Sequence, residues 1–276
     1  MHITKMQGLG NDYIYLNCME TVPEDLPGLA VRLSHRHFGV GADGLIAIRP
    51  GAAGDFSMEM YNADGSRGTM CGNGIRCVGK YVYDKGLTRK TCLTIDTGAG
   101  PRALELRLRR GRVDQVTVDM GEPRVLPSLE LEAEGTVFTA WPVDVGNPHG
   151  VIFCPDPGAV DLERLGPLLE RHPALGERTN IEFAACPDEE TILVRVWERG
   201  SGITLACGTG ACACFAAARR AGLCGDRVLV RLPGGALALE ERGSHVWMTG
   251  PARAVFWGEF PTGGAVSRGG FPVSNV

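Results

Sequence analysis

Apolar and polar residues alternate at period two over Leu104–Leu108, Val113–Val118 and Ala236–Leu239, the pattern of strands with one buried face. Four stretches carry helical spacing instead: Gly28–His37, Asn73–Lys85, Leu162–Arg171 and Thr209–Ala221. The second places Ile75, Val78, Tyr81 and Val82 on one face. In the fourth, residues 209–218 are almost all small, which predicts a central helix packed closely on every side. The remaining chain breaks into short strand-like runs between 39 glycines and 17 prolines, so a turn-rich α+β fold is expected. Residues after Pro261 read as a weakly structured tail.

The same word occurs twice. Cys71-Gly72-Asn73-Gly74 and Cys207-Gly208-Thr209-Gly210 share C-G-x-G, at an offset of 207 − 71 = 136. That offset also aligns Gly10-Asn11 with Gly146-Asn147, and Met60-Tyr61-Asn62 with Val196-Trp197-Glu198. Three landmarks in one register predict an internal duplication, with each half contributing one cysteine word.

Composition narrows the setting. The 276 residues carry 28 basic and 32 acidic side chains, a net charge of −4, which offers no broad footprint for nucleic acid or an anionic membrane. The run Arg102, Arg107, Arg109, Arg110 and Arg112 reads as the solvated face of one strand. Hydrophobic residues at 44% and charged residues at 22% fit a globular chain, and the length fits two domains or one large one. No apolar run approaches the ~18 residues of a membrane helix, and Met1 to Met6 lacks the plan of a signal peptide. A cytoplasmic location follows as the expectation, and the ten cysteines are then expected to be free thiols.

In each half the cysteine follows a turn and precedes a helical stretch. A helix start offers unpaired N–H groups and a positive dipole end, which favour a thiolate and can bind a carboxylate. Cys77, Cys212 and Cys214 fall inside helices and read as small hydrophobes; Cys18, Cys92, Cys154, Cys186 and Cys224 are given the same packing role. The cysteine spacings lack C-x-x-C pairs, so no metal is expected. A reversible disulfide between the two repeated cysteines remains open. Two thiols on opposite sides of one carboxylate suit removal of an α-proton on one face and its return on the other, which inverts the stereocentre. Pyridoxal phosphate would require a lysine, and none of Lys5, Lys80, Lys85 and Lys90 lies in a glycine-rich phosphate cradle. A cofactor-free reaction is expected.

At these residues the chain resembles the diaminopimelate epimerases. The resemblance runs through Gly8-Leu9-Gly10-Asn11-Asp12-Tyr13, Gly39-Val40-Gly41-Ala42-Asp43-Gly44, and Tyr61-Asn62-Ala63-Asp64-Gly65-Ser66 leading to Cys71-Gly72-Asn73-Gly74-Ile75-Arg76-Cys77. It continues through Gly146-Asn147-Pro148-His149, Glu177-Arg178-Thr179-Asn180, and Glu198-Arg199-Gly200 leading to Cys207-Gly208-Thr209-Gly210-Ala211. It implies two pseudo-symmetric α+β domains, each a curved, barrel-like mixed sheet around a central helix, with the site in the cleft between them. The expected halves are 1–117, completed by 252–276, and 118–251. The implied activity is cofactor-independent conversion of LL- to meso-2,6-diaminopimelate, for lysine and peptidoglycan precursors, by a homodimer.

By the same resemblance Cys71 and Cys207 are base and acid, and His149 and Glu198 adjust their acidity. Amides of Gly72, Asn73, Gly208 and Thr209 receive the reacting carboxylate. Asn11, Asn62, Asn147, Asn180, Glu198 and Arg199 hold the substrate, including its distal amino-acid end. Three positions depart from the family pattern: Gly44 where some members carry glutamine, Gly150 where a cysteine or small apolar residue is common, and Phe256 where some carry a tyrosine linked to dimerisation. Two other readings stay open: a racemase of the same fold acting on another amino acid, and a non-catalytic thiol or metal-binding module.

Overall fold

The computed structural model describes residues 1–176 and 178–261. Glu177 and residues 262–276 lie outside the described residues, and with them the expected tail and most of the 252–276 segment. The first half of the chain runs β1 (His2–Gly8), β2 (Asn11–Asn17), α1 (Leu26–Ser34), β3 (Gly44–Pro50), β4 (Phe56–Asn62), β5 (Arg67–Gly68), α2 (Gly72–Asp84), β6 (Cys92–Thr97), β7 (Gly100–Arg109) and β8 (Arg112–Asp119). Two short strands follow, β9 (Arg124–Val125) and β10 (Leu129–Ala133). The second half runs β11 (Thr136–Asp144), β12 (Pro148–Phe153), α3 (Leu162–Glu170), β13 (Asn180–Asp188), β14 (Thr191–Glu198), β15 (Gly202–Thr204), α4 (Gly208–Ala221), β16 (Arg227–Leu232), β17 (Gly235–Arg242), β18 (His245–Pro251) and β19 (Arg253–Glu259).

The duplication is visible in the pairing. Strands β1 to β8 and β11 to β18 follow one scheme: antiparallel 1–2, parallel 2–3, antiparallel 3–4 and 4–5, parallel 4–6, then antiparallel 6–7 and 7–8. Register agrees to the residue at several points. Tyr13 pairs Gly44 as His149 pairs Asn180, and Met60 pairs Gly68 as Val196 pairs Thr204, each pair displaced by 136. Strands β8 and β18 pair with each other and join the halves into one sheet, and β19 returns to pair with β1.

Within each half one helix lies inside the sheet and one outside. The central strands are buried on both faces, and their alternation sorts the helices. On β3, Leu45 and Ala47 pack in the cluster with Leu29 and Leu33 of α1, while Ile46 and Ile48 pack with Ile75 and Val78 of α2. On β13, Ile181 and Phe183 pack with Leu165 and Leu169 of α3, while Ala184 joins the cluster of Ala213 and Phe215 of α4. Clusters around α2 and α4 merge into one core, so the inner helices share an interior.

Helix boundaries follow from their caps. The spacing predicts α1 from Gly28, but the helix starts at Leu26 because Asp25 caps it, accepting from Gly28 N–H at 2.7 Å, and Pro27 is tolerated in a first turn. It ends at Ser34, short of the expected His37, because His35 turns to extended backbone. The other three helices lie within a residue of expectation at each end. α4 stops where Gly222 takes a left-handed conformation at φ 71°.

Candidate active site

Cys71 and Cys207 are both N-cap residues in extended backbone, at φ −134° and ψ 118° and at φ −115° and ψ 117°. Cys71 Sγ accepts from the Gly74 N–H at 3.3 Å, and Cys207 Sγ from the Gly210 N–H at 3.4 Å. The last glycine of each word lets the helix start seat on a strand. A Cβ at Gly74 would lie 2.7 Å from Ile46 Cδ1, and one at Gly210 would lie 2.6 Å from Glu182 Oε1.

The two helix starts converge. A Cβ added to Gly208 would lie 3.4 Å from the Gly72 Cα. Asn73 Nδ2 donates across the junction to the Ala206 carbonyl at 3.0 Å. The first-turn amides of Gly72, Asn73, Gly208 and Thr209 have no intrahelical acceptor, so the positive ends of two helices are gathered at one place. The tip of the β1–β2 hairpin, with Leu9 at φ 57° and Gly10 at φ 89°, reaches over to the second half. A Cβ at Gly10 would lie 2.7 Å from Leu205 Cδ1. The turn delivers Asn11, whose Oδ1 accepts from the Cys71 thiol at 3.3 Å and whose Nδ2 donates to Asp43 Oδ2 at 2.8 Å.

Behind the junction lies Arg76, fully buried. Its guanidinium donates to Gly72 O at 3.0 Å, Asn73 Oδ1 at 2.8 Å and Pro251 O at 3.3 Å, all neutral acceptors. The last of these bonds ties α2 to β18 of the other half.

A sequence model of the diaminopimelate epimerase family matches residues 3–126 and 142–255. Among curated proteins, the diaminopimelate epimerase of Pelotomaculum thermopropionicum is 48% identical over 277 residues, covering 95% of this chain and 99% of that one. That of Acetivibrio thermocellus is 46% identical over 274 residues, covering 94% and 98%. The chain belongs to the diaminopimelate epimerase family. Distant solved structures share the fold of this epimerase family member. A hydroxyproline epimerase from Agrobacterium vitis superposes with TM-score 0.71 at 16% identity, covering 94% of this chain and 91% of its own. A phenazine biosynthesis protein of the PhzF family from Bacillus anthracis gives 0.74 at 13% identity, covering 95% and 99%.

In this family member the helix start does not win over burial. Burial pushes the Cys71 thiol up; the N–H groups of Gly74 and Asn73 and the Arg76 charge pull it down, and Glu198 opposes them. Burial pushes Cys207 well above the ordinary thiol value, and the carboxylates of Glu198 and Glu182 push the same way, against the Thr209 hydroxyl and the Gly210 N–H. The expected thiolate-favouring cap is present at both sites but outweighed, because two or three weak donors do not replace lost solvent. Glu198 bears on both thiols, and its own carboxyl is raised by burial.

Other expected residues are placed as follows. Asn180 Oδ1 accepts the Arg199 N–H at 2.9 Å, and exposed Arg199 donates from Nη1 to Arg178 O at 3.3 Å. Asn62, at the end of β4, donates to Ser66 Oγ at 2.9 Å. Asn147 closes the turn before β12, its carbonyl accepting the Val145 N–H at 3.3 Å. Among the described asparagines, Asn11 is the one whose side chain bonds a repeated cysteine. His149 bonds Glu182 at 2.7 Å rather than Glu198, whose Oε1 accepts the Thr204 hydroxyl.

Glu182 and Tyr13 were missed in the sequence. Glu182 had a readable signal: a carboxylate inside Ile181–Ala185, a strand apolar on both faces. Tyr13 is buried beside Asn11, and burial raises its hydroxyl well above the usual value. Position 44 has no room for a side chain on this backbone, since a Cβ would lie 2.1 Å from Tyr61 O and 2.7 Å from Tyr13 Cε1. Gly150 is less constrained; a Cβ would meet Ile181 Cδ1 at 3.1 Å. Not every cysteine packs: Cys92 is exposed at the start of β6, because strand β6 turns that position outward. All ten cysteines are free.

Proposed function

We propose that the chain interconverts LL- and meso-2,6-diaminopimelate by a two-base reaction needing no cofactor. The observation that carries it is the convergence of two cysteine-capped helix starts at Gly72 and Gly208. A substrate carboxylate received by the amides of Gly72, Asn73, Gly208 and Thr209 puts its α-carbon between the sulfurs. One thiolate removes the α-proton and the opposite thiol delivers another to the far face. The amides carry the charge that develops on the carboxylate as the α-carbon becomes planar. Asn11 holds Cys71, and His149 and Glu198 set the protonation of the pair. Asn62, Asn147, Asn180, Glu198 and Arg199 take the distal ammonium and carboxylate, which a second amino-acid end supplies.

The division 1–117 and 118–251 fits this reading, with the strand at Arg253–Glu259 returned to the first half. So do a cytoplasmic enzyme supplying lysine and peptidoglycan precursors, and a homodimer formed near exposed Phe256 and Trp257. Among the described residues no helix is long and apolar enough to cross a membrane.

The deciding experiment is turnover of LL- and meso-diaminopimelate in D2O, alongside proline, histidine and lysine. Deuterium enters the α-position of diaminopimelate, and Cys71→Ala and Cys207→Ala each abolish net epimerisation. Normal turnover by either variant, or a preference for another amino acid, ends this reading.

A further inference from the structure

The two halves repeat in backbone and differ in charge around the thiols. At the 136-residue offset, Ile46 becomes Glu182, Tyr13 becomes His149, Asn62 becomes Glu198, and Arg76 becomes Cys212. A buried cation therefore stands behind Cys71, Glu198 bears on both thiols, and Glu182 adds a second carboxylate behind Cys207. Glu182 is the least expected of these. It occupies the face of β13 turned to α4, where the alternation calls for an apolar residue and the first half has one. Its side chain and that of His149 have no solvent exposure, and Oε1 lies 2.7 Å from His149 Nδ1. The same oxygen lies against Gly210, whose N–H donates to Cys207 Sγ. Glu182 Oε2 and His149 Nε2 have no partner among the described residues.

A buried carboxylate is costly, and Ile46 shows that the fold does not require one here. The geometry points to Glu182 as a positioning residue: it fixes His149 through Nδ1, and its charge beside the first turn of α4 keeps the proton on Cys207, so that Cys71 ionises first. The charged and titratable groups facing this corner are His149 from β12, Glu198 from β14, Cys207 and Cys214 from α4, and Arg76 on the Cys71 side. Glu182 touches neither substrate nor the transferred proton. The pair is built with a preferred resting state, although its backbone is symmetric. The inference rests on the two-base reading, but its test does not need turnover.

The test is iodoacetamide labelling of the intact enzyme, read by peptide mapping for Cys71 and Cys207 across pH 6–10, with thermal stability measured in parallel. In the unmodified enzyme Cys71 labels with the lower pH midpoint. Glu182→Gln lowers the Cys207 midpoint by about one pH unit, making labelling about tenfold faster at a given pH below it, and leaves Cys71 unmoved. Glu182→Ile, copying the first half, does the same, and Glu182→Asp, which keeps the charge, stays near the starting value. An unmoved Cys207 midpoint in Gln and Ile variants overturns the proposal. So does a shift shared by Cys71, or one that follows lost thermal stability rather than lost charge. Failure of deuterium exchange with labelling as expected would sink the two-base reading instead.

Discussion

Gly72 and Gly208 stand back to back, each the first residue of its helix, with Met248 closing the gap: a Cβ on Gly72 would lie 2.9 Å from Met248 Cε. A methionine tip moves readily, and alanine is favoured over glycine in a helix by about 1 kcal/mol. A Cβ on Gly208 would lie 3.3 Å from Met248 Cε and 3.4 Å from the Gly72 Cα, so in Gly208→Ala stability should change little and the two sets of first-turn amides shift by a few tenths of an ångström. A displacement of about 1 Å can cost roughly a hundredfold in rate, so a shift of a few tenths should cost about threefold. We expect kcat down about that much with a thermal midpoint within a few degrees of the parent. Unchanged kcat would mean that the close approach of the two helices is not needed.

Much of this was legible because duplication and helix starts are written in local sequence. The C-G-x-G words gave both caps, and the offset of 136 holds to the residue in strand register. What was not legible depends on which face of a strand a residue takes. Glu182 and His149 are far apart in sequence and meet only because β12 and β13 run parallel. The pull on the thiols was misjudged for a related reason: a cap is a local feature, whereas burial is set by the merged core.

The His149–Glu182 pair makes a stability prediction. His149→Phe strands a carboxylate with no exposure, and breaking such a pair costs about 3–5 kcal/mol. Adding Glu182→Ile restores the apolar chemistry of the first half and should recover at least half the loss. Urea unfolding of the two singles and the double measures the coupling. Strict additivity would show that the pair does not interact as the structure places it.

Buried thiols also set an alkaline limit. Burial pushes Cys77 up to about 11 and Cys212 up to about 12, from an ordinary 9.0. Burial raises Tyr13 and Tyr15 as well. A group raised in the folded state keeps its proton there while the unfolded chain loses it, so its stabilisation is complete below the unfolded value and lost as pH climbs through the folded one. The urea midpoint should be flat to pH 9, then fall steadily towards pH 11. Cys212→Ala should make that fall shallower. A midpoint unchanged at pH 10.5 would contradict the burial. Because burial also raises Cys71, kcat/KM should increase from pH 6 through 8 as its thiolate forms.

Arg76 is a cation held by neutral groups of both halves, so its fork matters more than its charge pairing. Lysine cannot reach three separated acceptors in that plane. Arg76→Lys should leave at least one buried carbonyl unpaired, at about 1–3 kcal/mol, and should loosen Asn73 from Ala206. Activity should drop about tenfold, as for a modest misplacement of the amides. A lysine variant with parental stability and rate would reduce Arg76 to filling space.

Oxidation should stop the reaction by joining Cys71 to Cys207. A disulfide requires Cα atoms within about 7 Å, and the residues next along each helix, Gly72 and Gly208, already approach van der Waals contact. Cys92 is the exposed thiol among the described residues and lies at the start of β6. Peroxide should therefore inactivate Cys92→Ser at the parental rate, and dithiothreitol should restore both. Non-reducing peptide maps should show the Cys71–Cys207 cross-link growing in proportion to lost activity. Inactivation without that peptide, or protection by Cys92→Ser, would place the sensitive thiol elsewhere.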